Sequence, residues 1–215
     1  MKILITAGPT REAIDPVRYL TNRSSGKMGY ALAEKAAEQG HKVLLVSGPS
    51  ALEVPPGIDF LPVETAAEMF EAVARQLPAC DAGIFAAAVA DYRPAATSPE
   101  KIKKTADTLS LELVRNPDIL GSARERFGFD GILVGFAAET GELERNAREK
   151  LSRKGCDLVV ANDVSRPGVG FDSDQNEVLL VYPDRTEALP QDSKHGLAER
   201  IIHAIGALAV ETPAK

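Results

Sequence analysis

Cysteine is scarce in this chain of 215 residues: Cys80 and Cys156 are the only two, far apart and outside any metal-ligand spacing. No disulfide framework follows, which fits a reducing compartment. Each cysteine precedes an apolar, strand-like run and reads as a small buried hydrophobe. Long hydrophobic runs are missing as well. None reaches transmembrane length, and the opening MKILITAGPT turns polar too soon for the apolar core of a secretory leader. A cytoplasmic location with no membrane partner is expected. Positive charge is also short. A net charge of -6 argues against a nonspecific nucleic-acid or anionic-membrane binder, which needs a basic face. Local basic clusters therefore stand out against the overall field. Finally, no Ser/His/Asp or Cys/His set can be assembled, because His41, His195 and His203 fall on strand, loop and helix positions without a nucleophile motif. The chemistry must rest on positioning and electrostatics, as in phosphoryl or nucleotidyl transfer.

What is present is an alternation of apolar runs and helical periods, in a composition of ordinary globular type (44% hydrophobic, 26% charged). Strands are predicted at 2–8, 42–49 and Phe60–Val63, and near-continuous apolar runs at 82–91, 132–139 and 157–163 mark central strands buried on both faces. Helices are predicted over 26–40, with Met28, Leu32 and Ala36 on one face, over Ala66–Leu77, and over the charged stretch 142–155. Six runs joined by crossovers describe an α/β fold: a Rossmann-like, doubly wound, mostly parallel sheet. The strictly alternating LSLELV (109–114) reads as an exposed strand or arm. NEVLLVYPDRTEALP (176–190) reads as an edge hairpin turning at Pro183-Asp184, and a last helix turns Leu197, Ile201, Ile202 and Ile205 inward. The expectation is one domain over 1–210 and a disordered tail over 211–215.

Ligands of such sheets bind beyond the strands' carboxyl ends, here Gly8, Ser47–Gly48, Asp91, Glu139–Thr140 and Asn162–Asp163. Seventeen residues separate Gly8 from Gly26-Lys27-Met28-Gly29, so a dinucleotide fingerprint is split around an insertion. The helix start, with Ser24 and Ser25 as added donors, has the geometry of a phosphate site. A serine-capped helix after an ordinary loop fits the same residues. A Walker loop is excluded, because Lys27 is followed by Met28. The second strand ends in Ser47-Gly48-Pro49 without the acid that a nicotinamide ribose requires, which disfavours an NAD(P) oxidoreductase.

The insertion TREAIDPVRYLTN (10–22) and the residue after it bring Arg11, Arg18, Asn22 and Arg23 onto one long loop above the sheet. Loops of that length are functional or disordered, and arginine supplies paired donors for phosphate or carboxylate. Surface arginines on a solvated loop are the alternative for Arg11 and Arg23. Asp91 fits a magnesium ligand or a turn cap. Ala86-Ala87-Ala88 admits a flat ligand to the backbone, or simply tight packing. Lys101, Lys103 and Lys104 form a charge run, and Lys150 and Lys154 share a helix face near its C-terminus, where the dipole favours cations. Both pairs gain meaning only with a polyphosphate between them. Asn116-Pro117-Asp118 has the form of a helix start, with Asn as the cap.

Taken together, ITAGPTREAIDPVRYLTNRSSGKMG (5–29) resembles the opening of phosphopantothenate–cysteine ligases. AAAVADYRP (86–94), EKIKK (100–104), VRNPDIL (114–120), GFAAET (135–140), ANDV (161–164) and GFDSDQN (170–176) match the same family in order. The resemblance implies that the carboxylate of 4′-phosphopantothenate attacks CTP with Mg2+, giving an acyl-cytidylate and pyrophosphate. L-cysteine then displaces CMP. Bacterial-type members use CTP, whereas eukaryotic relatives can use ATP, and in many bacteria such a domain follows a flavin-dependent decarboxylase. By the same motifs, Asn22 would hold the activated carbonyl, Arg18 would reach substrate, and Lys101 would stabilise the triphosphate. Phe85, Ala86, Ala87, Asp91, Pro117, Asp118, Ile119, Leu120, Phe136, Lys150 and Lys154 would join Lys101 at the nucleotide, with Asp91 near the metal. Gly8, Ser24, Ser25, Gly26 and Lys27 remain the phosphate-binding candidates, and 109–114 would be a homodimerisation arm. A nucleotide-sensing regulatory domain is the non-enzymatic rival. It would leave the Arg18–Asn22 loop and the Lys101 cluster without a task.

Overall fold

Six of the apolar runs form six parallel strands in a computed structural model that describes residues 1–104, 107–139, 141–163 and 175–211. The first third of the chain holds β1 (Lys2–Ala7), β2 (Arg11–Asp15), β3 (Arg18–Thr21), α1 (Lys27–Glu38), β4 (Lys42–Ser47) and β5 (Asp59–Pro62). Next come α2 (Ala66–Gln76), β6 (Ala82–Phe85), β7 (Tyr92–Pro94), β8 (Leu113–Arg115) and α3 (Ile119–Ser122). The remainder is β9 (Ile132–Glu139), α4 (Leu143–Lys154), β10 (Leu158–Asp163), β11 (Gln175–Val181), β12 (Thr186–Ser193) and α5 (Lys194–Glu211).

The main sheet runs β12-β11-β10-β9-β6-β1-β4-β5. Its parallel part, counted along the chain, has the strand order 3-2-1-4-5-6 of dinucleotide folds. Its switch point lies between β1 and β6. The antiparallel hairpin β11–β12 closes one edge, as the sequence predicted. Helices α1 and α5 cover one face, over Ile3, Ile5, Val160 and Leu180; α2, α3 and α4 cover the other, over Leu4, Val46, Leu133 and Val159. Leu197, Ile201, Ile202 and Ile205 of α5 are wholly buried, each worth about 1.5–3 kcal/mol in apolar burial. No helix among the described residues is long and apolar enough to cross a membrane.

Two glycines set the start of α1. Gly26 precedes the helix with a φ of 83°, a left-handed conformation that a side chain resists. Gly29 lies so close to β1 that a Cβ there would sit 2.5 Å from the Ala7 Cβ. The amino end of α1 is thereby drawn down onto the carboxyl end of β1.

Four expectations need correction. The run 82–91 is strand only to Phe85. Gly8, with a φ of 70°, turns the chain after β1, and Ala86–Ala88 follow it outside the regular ladder, with Ala86 N–H donating to the Thr6 carbonyl (3.2 Å) and Ala88 N–H to the Gly8 carbonyl (2.9 Å). Asp91 therefore sits on an exposed loop beyond the strand. The insertion 10–22 is a hairpin, not a loop: β2 and β3 pair antiparallel, held by the buried acids Glu12 and Asp15. In 109–114 only Leu113 and Val114 enter a strand, β8, which pairs with β7. At Asn116-Pro117-Asp118 the cap is Asp118, accepting from Gly121 N–H at 2.9 Å, because Asn116 Oδ1, the atom a cap would use, accepts from Arg93 Nη1 instead (3.0 Å). Thr140, Val164, the first five residues of the 170–176 motif and the tail 212–215 lie outside the described residues.

Candidate functional site

At the switch point two cavities open side by side. One, of about 520 Å³, lies between the ends of β6 and β9, the 115–120 segment and the α4 face carrying Lys150 and Lys154. The other, of about 340 Å³, is bounded by Asn22, Ser24 to Gly29, Ala86 to Val89, Ala138, Asn162, Asn176 and Lys194. Both sizes suit a small ligand. Ala87, Val89, Asp91, Phe136 and Lys150 line both, so the cavities meet at one cation, one carboxylate and one ring.

The sequence places the charges here against their solvation preference. Lys150 faces inward from α4 and donates to the Phe136 carbonyl at 2.5 Å. Burial lowers its pKa, with the neighbouring Lys154 adding to the effect and Glu139 opposing it. An entering polyphosphate would reverse this by supplying the missing negative charge. Asp118 shows the opposite balance. Burial raises its pKa, yet the hydrogen bond from Lys154 and the Gly121 N–H bring it below the ordinary carboxylate value. Lys154 and Asp118 are ion-paired across the larger cavity. Arg93 fixes the floor nearby, donating to the Arg115 carbonyl (2.8 Å) and to Asn116 Oδ1 (3.0 Å).

On the other side, Asn22 leaves β3 and donates its Nδ2 to the Ala88 carbonyl at 2.9 Å. The amide is thus held over the alanine run, at the rim of the smaller cavity. Ser24, Ser25, Gly26 and Lys27 share that cavity; Gly8 does not line it but packs beneath Gly26. Of the nucleotide candidates, Phe85, Ala87, Asp91, Pro117, Asp118, Ile119, Leu120, Phe136, Lys150 and Lys154 line the larger cavity, and Ala86 the smaller. Lys101 and Arg18 line neither. Lys101 is exposed, while Arg18 pairs with Asp15 (2.5 Å) and donates to the Ile102 carbonyl (2.9 Å). Arg115, Arg153, Asn176 and Lys194 line the cavities without having been singled out from sequence. The last two fall on buried periods, Asn176 with Val178 and Leu180 along β11 and Lys194 with Leu197, Ala198 and Ile201 along α5, and that spacing was the signal that could have found them.

For a metal, no group of three His, Cys, Asp or Glu side chains suited to one occurs among the described residues. Asp91 offers one exposed carboxylate where the cavities meet. That donor set fits a magnesium ion that arrives on phosphates and keeps its waters, rather than a resident cage.

Both cysteines are free and buried. Burial pushes the Cys156 thiol up to about 12 from its ordinary 9.0, against the pull of the nearby Lys150. It stays protonated in the fold while the unfolded chain ionises, so stability falls as pH rises above about 9. At pH 10 the loss is on the order of 1 kcal/mol. Cys156→Ala should flatten the fall in urea-unfolding free energy between pH 8 and 10; a slope equal to the parent's would contradict this.

The strand order and the paired cavities at the switch point define a Rossmann-like α/β protein with its ligand site at the carboxyl ends of the strands. Comparison with known proteins carries this further. The model of the DNA/pantothenate metabolism flavoprotein C-terminal domain matches residues 1–208, and the chain belongs to that family. The coenzyme A biosynthesis bifunctional protein CoaBC of Vibrio parahaemolyticus is 52% identical over 202 residues, 93% of this chain and 51% of the relative. Its counterpart in Bacillus subtilis is 49% identical over 212 residues, 98% of this chain and 52% of the relative. The chain thus spans about half the length of these curated relatives. A crystal structure of the C-terminal domain of CoaBC superposes with a TM-score of 0.83 at 40% identity, covering 98% of this chain and 96% of that one.

Proposed function

We propose that the protein is a phosphopantothenate–cysteine ligase of coenzyme A biosynthesis, working in the cytoplasm with CTP. The observation that carries the proposal is the pair of cavities meeting at Lys150, Asp91 and Phe136, with Asn22 on the rim of one and Lys154 in the other. In the first half-reaction a carboxylate oxygen of 4′-phosphopantothenate attacks the α-phosphorus of CTP. The bond to the pyrophosphate leaving group breaks, and an acyl-cytidylate remains. In the second, the amine nitrogen of L-cysteine attacks the acyl carbon, loses a proton and expels CMP. The larger cavity takes the nucleotide, where Lys150 and Lys154 face its phosphates, and Asp91 would hold a magnesium ion arriving on them, which would offset their charge. The smaller takes phosphopantothenate, with Asn22 donating to the acyl oxygen and the Ser24–Lys27 helix start receiving phosphate. Cation clamps of this kind stabilise charge that develops only as pyrophosphate departs.

The same proposal includes a homodimer. Val17, Tyr19, Tyr92, Leu109, Leu111 and Leu113 are 38–58% exposed on the β2–β3 hairpin, β7 and the segment entering β8. An apolar face of that composition beside a short edge strand marks an association surface.

The test is pyrophosphate release from CTP, with phosphopantothenate and with or without cysteine. Release that needs phosphopantothenate, and turns over repeatedly only with cysteine, is expected. CTP consumption independent of phosphopantothenate, or none, would overturn the assignment. ATP in place of CTP reads the base preference.

A further inference from the structure

The segment 97–102 has no helix or strand of its own, yet it is bound to the β2–β3 hairpin at both ends. Thr97 Oγ1 donates to the Ala13 carbonyl (3.1 Å) and Ser98 N–H to the Ile14 carbonyl (2.9 Å). At its far end Ile102 N–H donates to Asp15 Oδ2 (3.1 Å), and the Ile102 carbonyl accepts from Arg18 Nη2 (2.9 Å). Both backbone polar groups of residue 102 are thereby held, one directly by Asp15 and the other by the arginine that Asp15 pairs.

Asp15 is suited to this task. Its side chain is wholly buried, and it also accepts from Val17 N–H and Arg18 N–H (2.9 Å each) and from Arg18 Nε (3.0 Å). A buried carboxylate is tolerated when every lone pair has a donor. The four donors from within the hairpin build a turn and would serve a structural role alone. The fifth, from Ile102, does not belong to the hairpin. It clamps the neighbour of Lys101, an exposed cation with no regular structure to fix it. The same hairpin runs on into Asn22, which is separately anchored on the Ala88 carbonyl.

We propose that Asp15 is a positioning residue: by holding the Ile102 peptide, directly and through Arg18, it sets Lys101 relative to Asn22. The proposal rests on the reading of Lys101 as the cation that meets the triphosphate. A shift of about 1 Å in a positioned group can cost a hundredfold in rate, so the clamp has scope to matter.

A double-mutant cycle tests it on the purified protein, read as CTP-dependent pyrophosphate release. Asp15→Asn keeps the shape but turns an amide toward the guanidinium and the Ile102 N–H. It should lower kcat about tenfold or more and move the KM for phosphopantothenate less than about twofold. On a Lys101→Gln background the same change should add less than about twofold, because the residue it positions is already gone. Losses that multiply, or a wild-type rate for Asp15→Asn beside a crippled Lys101→Gln, would overturn the proposal alone. A wild-type rate for Lys101→Gln would remove the reading beneath it. A measurement on the unsubstituted protein stands apart from any folding defect. The Ile102 amide should exchange with solvent at least about tenfold more slowly than Lys103, and exchange at the unprotected rate would overturn the clamp.

Discussion

Asn22→Asp should form the acyl-cytidylate and then stall on it. In the first half-reaction charge develops at the triphosphate, which the cations of the larger cavity face, so the change leaves that step largely intact. In the second, cysteine attacks the acyl carbon and the carbonyl oxygen becomes an oxyanion. The Asn22 Nδ2 is held by the Ala88 carbonyl over the alanine run (2.9 Å), and under the proposed function it donates to that oxygen. A carboxylate there removes the donor and opposes the developing charge. Loss of one such donor costs about 10²–10³ in rate. Quenched-flow samples analysed by mass spectrometry should therefore hold an acyl-cytidylate that the parent does not accumulate. Its absence while pyrophosphate release continues would sink this role. Because the side chain is neutral in the parent, it cannot also be the base that takes the cysteine proton.

The main sheet was legible because burial on both faces leaves a plain mark. The runs at 132–139 and 157–163 match β9 and β10 almost residue for residue, and they lie where the parallel ladder is covered by helices on each side. The edge hairpin was legible from the Pro183-Asp184 turn between two strand-like runs. Errors arose where apolar character and strand geometry part company. Ala86–Ala90 is as apolar as a strand, but beyond Gly8 the partner chain turns and the ladder shrinks to an isolated bridge between Pro9 and Ala88, and no property of residues 86–90 reports that. The hairpin at 10–22 was missed because its acids face inward. Glu12 accepts from the first N–H of α2 (2.9 Å) and Asp15 from five donors, so the alternation that marks a half-buried strand is inverted in sign.

The site was legible in a different way. Gly26 and Gly29 stood out by their spacing at the start of a helix, and the structure supplies their physical reasons, a left-handed turn and a close approach to β1. Lys150 and Lys154 fall on one helix face by their four-residue spacing, which carries both to the cavity. Asn22 and Lys101 have no such periodicity. What singled them out was resemblance, and what gives them a common frame is the hairpin, a tertiary arrangement joining residues more than eighty apart.

Lys101→Gln should suppress the first half-reaction, lowering CTP-dependent pyrophosphate release about 10²–10³-fold, the usual cost of one preorganised donor to a departing charged group. The structure sharpens what this change removes. Lys101 is exposed and lines neither cavity, so its charge contributes little to the fold, and a surface substitution of this kind alters stability by about 0.5 kcal/mol at most. Activity and unfolding free energy should therefore separate: a large loss of rate with an unchanged urea midpoint. Lys150→Gln should behave differently. That side chain is half-buried, and its loss removes a hydrogen bond to Phe136 as well as the proposed phosphate contact, so both readouts should move. Pyrophosphate release at the parent rate in Lys101→Gln would show that Lys150 and Lys154 suffice for the triphosphate. The charge beside the Asp15 clamp would then have no part in nucleotidyl transfer.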